Sequence, residues 1–122
     1  MSHIVRIKTQ VKDVTAIAAA CRRLNLAAPV VGAFELFSGE AKGTAVWLPE
    51  WVYPVVCDTA RGELKFDNFG GCWGDQKELD RFLQAYAVEK ARIEARRSGN
   101  TVTETQLADG SIKLSITAGG AV

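Results

Sequence analysis

The chain reads as a small α+β protein, an antiparallel or mixed sheet with two helices on one face, ferredoxin-like with added hairpin strands. Three observations predict this. Short segments that alternate apolar and polar residues recur along the chain, two longer segments carry apolar residues at three-and-four spacing, and turns bearing Gly, Pro or Asp separate them. Alternating strands bury one face and each helix has one stripe to bury, so helices stacked on a sheet satisfy both. At 122 residues there is room for one core, predicting a single domain over 1–117 and a mobile tail over 118–122.

Residues 3–10 put His3, Val5, Ile7 and Thr9 on one side and Ile4, Arg6, Lys8 and Gln10 on the other, the period of a half-buried strand. Asp13 is placed to cap a helix over 14–24, whose Val14, Ile17, Ala18, Cys21 and Leu24 share a face and whose Arg22 and Arg23 suit the negative end. Pro29 and Gly32 close that connection. Segments 34–37 and 44–48 then flank a glycine-bearing turn over 38–43, predicting a hairpin. A second hairpin is predicted from 52–57 and 63–66. Pro54, with no N–H to donate, must start its strand or lie at an edge.

The longest element is a helix over 75–98. Asp75 and Glu78 have capping-box spacing, Leu79, Phe82, Leu83, Tyr86 and Ile93 form one stripe, and Gly99 follows as a stop. Acidic residues gather at its start and Arg92, Arg96 and Arg97 at its end, matching the dipole. A last hairpin follows. If Asp109-Gly110 is a two-residue turn, Leu107 faces Ile112, Thr105 faces Leu114 and Thr103 faces Ile116, with Glu104, Gln106, Lys113 and Ser115 on the polar side.

Composition narrows the function classes. With 48% hydrophobic and 24% charged residues the chain belongs with folded proteins, and fifteen basic against fourteen acidic residues supply no field for collecting phosphates. Nucleic acid is therefore not an expected partner. Charges at Arg6 and Lys8 interrupt any leader-like stretch, no window is of spanning length, and no membrane partner is expected. Three cysteines cannot all pair and form no C-x-x-C, which suggests reduced thiols and a cytoplasmic location.

The opening Met1-Ser2-His3-Ile4 with Ile7-Lys8-Thr9, the block Tyr53-Pro54-Val55-Val56, the run DNFGGCWGDQKELDRFLQAYAVEKA over 67–91 and the closing LADGSIKL belong together. In them the chain resembles the hypothetical chloroplast reading frame thirty-five family, small proteins of cyanobacteria, algal plastids, other bacteria and phages. The resemblance spans nearly the whole chain. It implies a domain of unknown function with no established catalytic residues, and at most a role that depends on a partner.

The loop Asp67-Asn68-Phe69-Gly70-Gly71-Cys72-Trp73-Gly74-Asp75 is the leading candidate site. Its glycines Gly70, Gly71 and Gly74 permit positive φ or close approach, and a helix N-terminus offers free N–H groups to a carboxylate or phosphate. Against that, it holds no Lys, Ser or Thr, and Asp67 and Asp75 would repel an anion. The plainer reading is a tight turn with Phe69 and Trp73 as anchors. Cys72 is the best placed nucleophile, with Asp67 and Asp75 as carboxylates nearby, but the one base, His3, is distant in sequence. Cys21 and Cys57 read as core residues. Asp67, Asn68 and Asp75 lack calcium-loop spacing, so neither a metal nor a cofactor is expected.

A second candidate surface is Pro49-Glu50-Trp51-Val52-Tyr53-Pro54, whose prolines suggest exposure and whose Trp51 would suit an interface anchor. The charged face of the long helix reads as solvated surface. With no complete catalytic constellation, the expectation is a protein-interaction or assembly module, working with a protein partner or as a homo-oligomer. The alternative is a small-molecule or anion-binding protein, or an enzyme, using loop 67–75.

Overall fold

The computed structural model describes residues 4–118, so His3 and all but the first residue of the tail expected over 118–122 lie outside the described residues. The elements run β1 (Val5–Lys8), α1 (Val14–Arg23), β2 (Val30–Leu36), β3 (Gly39–Val46), β4 (Val55–Asp58), β5 (Glu63–Phe66), α2 (Gln76–Arg97), β6 (Thr101–Gln106) and β7 (Ile112–Thr117). They form an α+β protein whose described strand pairings are all antiparallel. The residues group into two compact units, one ending at Tyr86 and one beginning at Ala87.

In the first unit the sheet order is β1-β5-β4-β3-β2. This differs from the ferredoxin-like interleaving expected above, in which β1 would be central and parallel to a neighbour. The connections over 37–38, 47–54 and 59–62 are too short for the crossover of a dozen or more residues that parallel pairing needs, so β2 to β5 can only meander. Only the path through α1 can cross the sheet, and it leaves β1 at the far edge beside β5.

One face of the sheet carries Thr44, Val46, Val55, Cys57, Leu64 and Phe66, all buried. Helix α1 covers it with Ala16, Ile17, Ala20 and Cys21, and Cys21 lies near enough to Cys57 to act on it electrostatically. Asp13 caps α1 as expected, accepting from Thr15 N and Ala16 N. From α2, Tyr86 Oη accepts from Lys12 N (3.1 Å) and Asp13 N (3.0 Å) and donates to Gln10 O (3.3 Å), pinning the two helices at α1's start. The other face holds Leu36, Ala41, Ala45 and Val56, with Ile4, Phe34 and Tyr53 packed against them.

The β2–β3 hairpin is longer than its sequence suggested. Its turn is only Phe37-Ser38, and the glycines read as turn residues lie inside β3. Gly43 is needed there for a different reason: at φ 151°, a Cβ would strike the Cys57 carbonyl oxygen of β4. Pro54 does precede its strand, and β4 is central.

In the second unit, β6 and β7 pair one residue out of the expected register, with Gln106↔Ile112, Glu104↔Leu114 and Val102↔Ile116. The turn is the three-residue loop 108–110. Leu107 N donates to Ser111 O (2.9 Å), Gly110 takes φ 89°, and Asp109 accepts from Ser111 N (3.0 Å) and Oγ (2.6 Å). A one-residue slip exchanges the faces, and this one sets Val102 beside Ile112, Leu114 and Ile116 where the two-residue turn would have set threonines. Glu104 shares that face and pairs with Arg92 at 2.9 Å. No helix of the described residues is long and apolar enough to cross a membrane.

Candidate functional site

The loop after β5 is built from its own hydrogen bonds. Asn68 is buried and ties the loop's two ends together, its Nδ2 donating to Gly74 O (3.2 Å) and its carbonyl accepting from Gly71 N (3.0 Å) and Trp73 N (2.9 Å). The turn over Phe69–Gly71 takes positive φ throughout, at 46°, 60° and 102°. Glycine adopts this freely. A phenylalanine there is strained by about 1–3 kcal/mol.

Beneath the loop lies Asp67, 1% exposed. One oxygen accepts from Phe69 N (3.4 Å) and the other is buried with no hydrogen-bond partner among the described residues. A buried carboxylate oxygen left unmet is rare and destabilising.

The two sequence segments singled out above meet here. Val52 N donates to Trp73 O (2.9 Å), and Trp51 Nε1 donates to Asp75 O (3.1 Å). Trp51 is buried, not exposed, with its ring edge-on to Phe66 at 5.7 Å and close against Gly74. The two prolines shape a loop that folds inward, so Trp51 serves as the wedge beneath the site and not as its surface. Pro49, Glu50 and Val52 around it are exposed, Val52 at 60%.

What reaches the surface is an aromatic cluster around half-buried Trp73. Phe69 stacks on it (centroids 4.8 Å, 28° between planes), Phe37 tilts against it (5.1 Å, 57°) and Tyr53 meets it edge-on (5.8 Å, 65°). Phe37 and Phe69 are 59% and 40% exposed. Phe37 was not singled out in the sequence. Its signal was weak, an aromatic at the end of a strand whose turn was placed a residue too late.

Beside the cluster is an open cleft of about 530 Å³ lined by Pro49, Glu50, Gly71, Cys72, Gly74, Asp75 and Glu78. Cys72 and Asp75 therefore share a cavity, and Asp67 is not part of it. Asp75 caps α2, its Oδ1 accepting from Lys77 N (2.9 Å) and its carbonyl from Glu78 N (3.0 Å). The N–H groups an anion would use are thus partly engaged, in a cleft rimmed by carboxylates. Glu50, at φ 61°, is a second strained non-glycine residue at this site.

Of the thiols, Cys72 is exposed, whereas Cys21 and Cys57 are buried. Burial, reinforced by the neighbouring Cys21, pushes the Cys57 thiol up to about 12, and burial raises Cys21 as well. No group of three or more His, Cys, Asp or Glu among the described residues is arranged to hold a metal ion. Comparison with protein-family models, with curated proteins and with solved structures returns no match to this chain.

Proposed function

We propose that this chain is a protein-interaction module whose contact surface is the aromatic cluster around Trp73. The observation that carries the reading is the exposure of Phe37 and Phe69, both packed against Trp73, in a cluster that Tyr53 completes from a third segment. Aromatic residues at the centre of an apolar patch are the commonest binding hot spots. Strain supports the same reading: Phe69 and Glu50 hold unfavourable backbone angles, and Asp67 beneath the loop keeps a buried oxygen without a partner among the described residues.

Anion binding and catalysis at loop 67–75 have less support, because Asp75 occupies the helix start and Cys72 faces carboxylates without a described base. Membership of the family resembled above belongs to the proposal, and its implied dependence on a partner agrees with it. Three unpaired cysteines favour a reducing, cytoplasmic setting.

The test uses Phe37→Ser with Phe69→Gly, chosen because glycine takes φ 46° without strain and should preserve the loop. Tagged wild type and variant are compared for co-purifying proteins in the native cell and, by light scattering, for self-association. Wild type should form a defined complex, with a partner or a second copy, that weakens at least about tenfold in the variant. A well-folded variant with unchanged complexes would overturn the proposal.

A further inference from the structure

The chemistry of the partner follows from what borders the aromatic cluster. Cys72 and Gly74, on either side of Trp73 in the chain, line the cleft that also holds Glu50, Asp75 and Glu78. No basic side chain lines it. Glu50 and Asp75 make no ion pair among the described residues, and Glu78 has only the exposed Arg81 at 3.5 Å. The apolar surface is therefore edged by carboxylates of one sign: Glu50 in its positive-φ turn, Asp75 and Glu78 at the start of α2.

Such a border selects among the occupants an aromatic surface could take. Nucleic-acid bases stack on aromatic rings, but their phosphates would meet the carboxylates, and an anionic membrane meets the same repulsion. A segment that places an apolar side chain on the rings and a cation in the cleft satisfies both halves at once. The exposed face of Phe69 adds a site over which a guanidinium can lie.

Resting on the interaction reading above, we infer that the partner presents a basic peptide segment, with one aromatic or aliphatic anchor on Phe37, Phe69 and Trp73 and an adjacent Arg or Lys in the cleft of Glu50, Asp75 and Glu78. The carboxylates then set specificity and association rate while the aromatic residues supply most of the affinity.

The probe is a phage-displayed library of random twelve-residue peptides, selected on immobilised wild-type protein and counter-selected on the Phe37→Ser/Phe69→Gly variant. The retained peptides should carry net positive charge with an Arg or Lys within a few residues of an aromatic or aliphatic one. As free peptides they should bind about tenfold more weakly to Glu50→Gln/Glu78→Gln, which leaves the capping Asp75 in place, and raised salt should erase that difference. Retained peptides that are neutral or acidic, or that bind the glutamine variant equally well, overturn the basic segment and leave the aromatic surface standing. A library with no peptide distinguishing wild type from the aromatic variant counts against both. Dimerisation of the wild type at micromolar concentration, lost in the aromatic variant, gives the face to a second copy and overturns this inference alone.

Discussion

Replacing Gly74 by alanine tests how the two loops of the site are locked together. A methyl group at this position would run into Cδ2, Cε2 and Cγ of the Trp51 ring. The ring has little room to yield, since it is edge-on to Phe66 and its Nε1 is bonded to Asp75 O. If it stays, overpacking costs about 1–3 kcal/mol. If it moves, the indole N–H loses its acceptor and adds about 1–3 kcal/mol. The expected loss is therefore roughly 1–3 kcal/mol if the ring holds and roughly 2–6 kcal/mol if it also gives up its bond, with a fall in Tm of about 4 °C per kcal/mol for a chain of this size. Urea unfolding followed by circular dichroism reads it directly, and Trp51→Leu supplies the control. With the ring gone the added methyl should be accommodated, so Gly74→Ala should cost at least about 1.5 kcal/mol less in the leucine background. A change below about 0.5 kcal/mol in the single variant, or equal costs in both backgrounds, would refute the wedge.

Tyr86→Phe should destabilise by about 2 kcal/mol in the same assay, because Lys12 N and Asp13 N lose the oxygen that accepts from both. Gly43→Ala should cost at least about 3 kcal/mol or prevent folding, since the methyl meets a backbone oxygen of β4 that cannot rotate away. In the native protein one thiol, Cys72, should react promptly with a disulfide reagent, and Cys21 and Cys57 only after unfolding. The Cys57 thiol is raised in the folded state from 9.0 to about 12, so its contribution is complete below pH 9 and is lost as pH rises from 9 towards 12. Stability should fall there by up to about 1.4 kcal/mol per pH unit from this group, a slope that Cys57→Ala should reduce.

Much of the local structure was legible because its causes are local. The bounds of α1 and α2 follow from Asp13, Asp75, Gly99 and stripes of apolar residues repeating within a turn, and each helix ends within a residue of its expected limit. The burial of Cys21 and Cys57 and the start of β4 after Pro54 follow in the same way. Glycine was less informative. Gly39 and Gly43 looked like a turn and proved to be strand, because glycine serves close approach as well as positive φ, and only the neighbouring strand tells which.

The sequence by itself determined the α+β class and the two helices, and it marked the stretch from Asp67 to Asp75 as the leading candidate. Tertiary structure alone decided the strand order, the register of β6 on β7, the burial of Trp51 and the arrival of Phe37 beside Trp73. The reason is the range of the forces involved. Helices and caps are fixed by residues within four positions of one another, whereas exposure and partnership are set by whichever distant segment packs alongside. The site joins residues from 37 to 78, and its surface could not be read from any one of the segments that compose it.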